Sequence, residues 1–117
     1  MRQSKSRILW VAAVAFALAA GTAWAGSWTN VALVDQNCAE KTKADPDAHS
    51  RSCAIKCAKG GYGVWTADGK YLKFDAAGSE KALALLNASD KKDHLRVDVA
   101  GVLDGETLKV ETIAFAK

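Results

Sequence analysis

From His94 to Val102 the side chains alternate in a way that leaves little freedom of fold. Leu95, Val97 and Val99 share one face, while His94, Arg96 and Asp98 share the other. That period of two belongs to a half-buried strand, and His94, on the polar face, is expected to meet solvent. Asp104-Gly105 then offers a dipeptide that accepts the positive φ of a tight turn, and Thr107 to Phe115 returns. The inward set of the return shifts from Leu108 and Val110 to Ile113 and Phe115, which predicts a bulge near Glu111-Thr112.

The rest of the chain is read outward from this hairpin. Tyr62–Thr66 and Lys70–Asp75 flank Asp68-Gly69 and form a second expected hairpin. Between the two, Ser79 is expected to cap a helix running to Asn87, with Leu83 and Leu86 on one stripe. Trp28–Asp35 is an expected strand without clean alternation: Trp28, Ala32 and Val34 lie opposite Val31 and Leu33. A strand buried on both faces, or one bent between two sheets, reads this way. His49–Lys59 reads as a short helix stopped at Gly60-Gly61. The order is strand, short helix, hairpin, helix, hairpin. It predicts a mainly β fold with short helices: a small five-stranded OB-like barrel. One helix falls between strands 3 and 4, and a short cysteine-bearing helix between strands 1 and 2. A helix packed on an open antiparallel sheet is the alternative.

Residues 1–25 have the three parts of an export signal. Arg2, Lys5 and Arg7 give a basic start, Ile8–Ala20 is an uninterrupted apolar run of 13 residues, and Ala23-Trp24-Ala25 offers the small-x-small cleavage pattern. A run of that length is too short to span a hydrocarbon core of about 30 Å as a helix. Cleavage between Ala25 and Gly26 would leave a single domain, 26–117, in the bacterial periplasm or outside the cell, with no membrane span. The net charge of +3 also leaves with the leader, because the remainder carries 13 acidic and 13 basic side chains. Zero net charge disfavours binding to nucleic-acid backbones, which needs excess Lys and Arg.

The strings V-D-Q-N-C (Val34–Cys38), H-S-R-S-C-A-I-K-C-A-K-G-G (His49–Gly61), D-G-K-Y-L-K-F-D (Asp68–Asp75) and R-V-D-V-A-G-V-L-D-G-E-T-L-K-V (Arg96–Val110) cover much of the chain after the leader. This pattern, D-x-x-C followed by H-x3-C-x3-C, resembles a group of small secreted bacterial proteins with OB-like folds and no assigned function. The resemblance implies a barrel and an exported location. It implies no activity.

The chemistry on offer lies in Cys38, Cys53, Cys57 and His49. On a helix, positions four apart drift by only about 40° per step, so Cys53 and Cys57 are expected to share a face with His49 just before them. Fourteen residues separate Cys38 from Cys53, enough for a loop to bring them together. In an oxidising compartment two of three thiols should pair. Neighbours on one helix face are poorly directed for bridging each other, so Cys38 would bond Cys53 or Cys57. Closing such a loop contributes about 3 kcal/mol. The alternative is a metal site of Cys38, Cys53, Cys57 and His49, suited to tetrahedral Zn²⁺ or to Cu(I). A third reading is redox exchange, helped by the nearby charges of Arg51, Lys56 and Lys59, although no C-x-x-C pair is present.

Other signals are weaker. Trp28, Tyr62, Trp65 and Tyr71 are candidates for a surface that stacks on a ligand, or else they are core. Asp45 and Asp47 match no calcium-loop spacing and read as a solvated turn. No nucleophile–base–acid set or phosphate-cradling glycine loop is present, so no enzyme is expected. The expected protein is a non-catalytic binding or structural module stapled by a disulfide, or else a periplasmic metal handler. Its partner would be a small ligand or a periplasmic protein. It would be monomeric unless a leftover thiol joins two copies.

Overall fold

The computed structural model describes residues 23–117; the basic start and apolar run of the expected leader lie outside the described residues. Five strands close into a barrel: β1 (Ala23–Asp35), β2 (Tyr62–Trp65), β3 (Tyr71–Phe74), β4 (Arg96–Asp104) and β5 (Thr107–Phe115). The order around the ring is β1-β2-β3-β5-β4 and back to β1. Only β3 and β5 run parallel. This is the expected OB-like barrel, and the open-sheet alternative fails because β1 pairs with both β2 and β4.

Strand β1 closes the ring by changing partners. It pairs with β4 from Ala23 to Ala32 and with β2 from Ala32 to Asp35. An irregularity between Trp28 and Val31 makes this possible, with Asn30 held at φ 53°. Asn30 N–H donates to Asp98 Oδ1 (2.9 Å), and its carbonyl accepts from Arg96 (3.0 Å). The extra residue flips the facing of everything before it. Trp28 therefore packs with Val31 and Leu33 in the main core, and not with Ala32 and Val34 as simple alternation predicts. Ala32 and Val34 join a second small core with Ala39 and Trp65. β1 is thus buried on both faces from Val31 to Asp35. It also begins five residues earlier than expected, so the expected cleavage point lies inside it.

The β4–β5 hairpin follows its pattern. Leu95, Val97, Val99, Leu108 and Val110 are buried. Ala100 faces Thr112 while Gly101 faces Val110, so Glu111 is the bulged residue, as expected. Gly101 permits this close approach: a Cβ there would sit 2.0 Å from the Lys109 carbonyl oxygen.

Three helices fill the connections: α1 (Ala39–Thr42), α2 (Arg51–Lys56) and α3 (Ala76–Asn87). α3 starts three residues before the expected cap. Asp75, leaving β3, accepts from Gly78 N–H with Oδ1 and takes the N-cap position. Ser79 is then inside the helix, where its Oγ accepts from Tyr62 N–H. The buried stripe of α3 is Gly78, Ala82 and Leu86, with Leu83 half-buried beside it. No helix among the described residues is long and apolar enough to cross a membrane.

Candidate functional site: the Asp35–Cys38–His49 corner

Everything between β1 and β2, Gln36 to Gly61, forms a corner of short turns laid against the end of β1. The barrel holds it by side chains reaching main-chain oxygens. Tyr62 OH donates to Ala54 O in α2 (2.7 Å), and Trp65 Nε1 donates to Ala39 O in α1 (3.1 Å). At the far edge, Arg96 grips both carboxylate oxygens of Asp47 at 2.8 and 2.9 Å.

Tyr62 and Trp65 are therefore not a stacking surface. Both are buried, and Tyr71, half-buried, donates its OH to Val34 O. Trp28 is half-buried against the core. The exposed large hydrophobic among the described residues is Trp24, which lies inside the expected leader. His94 is exposed, as expected, with Nδ1 against Asp93 at 2.7 Å.

Asp35 ends β1 and is wholly buried. A carboxylate taken out of water needs partners, and it has two. Its Oδ2 accepts from Cys38 N–H at 3.1 Å, which caps the turn that follows the strand. Its Oδ1 accepts from His49 Nε2 at 2.7 Å, with the imidazole only 8% exposed. Ligand atoms of Asp35, Cys38 and His49 all lie within 4.8 Å of one another. Cys57 stands 4.4 Å from Cys38, unbonded.

His49 reaches Asp35 because α2 is shorter than the sequence suggests. Ser50 Oγ accepts from Cys53 N–H and caps the helix, which leaves His49 in extended backbone ahead of it. The expected set of four is accordingly not assembled as a unit. Ala54 is the inward residue of α2, so Cys57, three positions on, turns toward Cys38. Cys53, one position before Ala54, points outward and is exposed. Asp35 takes the place that Cys53 was expected to fill. Its signal lay in the D-x-x-C string: an acid closing an apolar strand three residues before a cysteine.

Charge at Asp35 is felt by its neighbours. Burial raises the Cys38 thiol above its usual range, with Asp35 and then Cys57 adding to the effect. Burial pushes Tyr62 up to about 12, with further contributions from Asp35 and Cys57. Tyr71 is raised too, by burial first and Asp35 second. The corner therefore resists a bare thiolate at Cys38. A carboxylate, an imidazole and a cysteine sulfur within one small volume is a donor set that a borderline cation such as Zn²⁺ accepts. Comparison with protein-family models, with curated proteins and with solved structures gives no match.

Proposed function

We propose that this chain is a small exported, non-catalytic module that binds a transition-metal ion, Zn²⁺ or Cu(I), in the corner at the end of β1. The observation that carries the reading is the convergence of Asp35, Cys38 and His49. Cys57 stands beside Cys38 as a further sulfur, and Cys53 takes no part. A cation would also offset the desolvation of the buried carboxylate and favour thiolate at Cys38.

Metal analysis of the chain purified anaerobically in reduced form tests this. Close to one equivalent of zinc or copper is expected, together with its loss in the Asp35→Asn and Cys38→Ser variants and its retention in Cys53→Ser. Less than about a tenth of an equivalent overturns the reading, since thiolate sites hold such metals tightly.

A second reading is favoured by the 4.4 Å between Cys38 and Cys57. In an oxidising compartment these two are the natural pair for a disulfide, which needs the sulfurs to close to about 2.05 Å. The module would then be a structural or ligand-presenting barrel whose α2 is stapled to β1. Loss of two hydrogens from the intact mass of air-purified protein, with Cys53 alone free, is the expected signature.

A further inference from the structure

Cys38, the sulfur of the candidate metal position, stands 4.4 Å from Cys57, near enough for a small movement to join the two. Cys38 ends the turn that Asp35 caps, and Cys57 occupies the hinge between α2 and the following 3-10 turn, at φ −97° and ψ 21°. Both are half-buried, so a small reagent can reach them. A sulfur cannot be in a disulfide and be a thiolate ligand at once. Asp35 and His49 alone would be too few donors for tight binding, and Cys53 is exposed and offers no replacement.

We propose that this corner is a metal site emptied by thiol oxidation, in which formation of the Cys38–Cys57 disulfide expels the ion. The proposal rests on the metal reading above and adds the reagent class that discharges the site, a low-molecular-weight disulfide RS–SR. One protein sulfur attacks RS–SR and expels RS⁻. The other then attacks the mixed disulfide and expels the second RS⁻. Two electrons pass from the protein sulfurs to the reagent. The RS–SR bond breaks, the Cys38–Cys57 bond forms, two solvent protons complete two RSH, and the cation leaves as Zn²⁺. Reduction by a dithiol reverses the step and restores the thiolates.

The test loads the reduced chain with zinc under anaerobic conditions, adds glutathione disulfide, and follows zinc with a chromogenic chelator. Peptide mapping reports the linkage. One zinc released for each Cys38–Cys57 bond formed, with re-uptake after reduction, is the expected result. Cys53→Ser should behave as the unsubstituted chain. Cys57→Ser, loaded at a zinc concentration that fills it, should form no intramolecular disulfide and should release zinc only in step with a Cys38 mixed disulfide. Zinc that stays bound on a chain carrying the Cys38–Cys57 bond overturns the proposal. So does release accompanied by linkage through Cys53. Failure of the reduced chain to take up zinc at all appears before any oxidant is added, and it overturns the metal reading itself.

Discussion

Strands β4 and β5 pair continuously from Asp104 opposite Thr107 to Val97 opposite Phe115, interrupted by a single bulge. The corner from Gln36 to Gly61 has helices of four and six residues linked by single turns. In the hairpin, stability is spread over many apolar side chains and ladder bonds. In the corner it rests on a few side chains tied to main-chain or carboxylate oxygens. Local openings follow such differences, so the corner should loosen while the barrel stays closed. A site that takes up and gives up a ligand belongs in the looser region.

The largest expected effect tests whether the barrel is one cooperative unit. Leu108→Ala removes a wholly buried side chain and should cost about 3 kcal/mol, read from urea unfolding. Corner and hairpin probes should then lose stability together. Tyr62→Phe acts on the corner alone, by deleting the donor to Ala54 O. A cost of about 1–2 kcal/mol is expected, with amide exchange rising in α2 far more than in β4 and β5. Equal acceleration in both regions would mean that the corner is no looser than the barrel.

A smaller effect should appear in acid. Hydrogen bonding to Arg96 is the main cause holding the Asp47 carboxyl below its ordinary value of 3.8. A carboxyl depressed in the folded state contributes stability above its unfolded value, and that contribution is lost as pH falls through the folded one. Asp47→Asn should therefore lower the urea midpoint at neutral pH, where the contribution is fully present, and flatten its decline below about pH 4 by the same amount, both effects being small because the pair is partly exposed. The smallest effect sharpens the comparison by its absence. Cys53→Ser should shift stability by less than about 0.5 kcal/mol, and calorimetry showing a larger loss would mean that Cys53 is not the outward residue.

Most of the barrel was legible because strand signals are local. The alternation at Leu95, Val97 and Val99, the Asp104-Gly105 and Asp68-Gly69 turns, and the change of inward set after Val110 each act over a few residues. Strand β1 was harder, since its facing depends on Asn30 adopting a left-handed backbone held by Asp98 and Arg96, and both partners are remote in sequence. The corner was only half legible. Cys38, Cys57 and His49 do gather at the end of β1, but a four-residue spacing cannot tell which side of a helix the barrel will claim. Ala54, the smallest side chain available, took the inward place and sent Cys53 out. Asp35 was missed because a strand-ending aspartate ordinarily reads as a solvated cap. Its burial comes from neighbours supplied by β2, β3 and the segment before α2.

Two of the ties from the barrel to the corner, Tyr62 to Ala54 O and Trp65 to Ala39 O, end on peptide oxygens. Any residue small enough to fit offers the same acceptor. At these two points the barrel is a mount whose fittings ignore the identity of the cargo bolted to them, whereas the Arg96 grip needs the Asp47 carboxylate. Chain exchanged between Thr42 and Ser50 should leave both fittings engaged, so the scaffold can carry a foreign loop in place of its own.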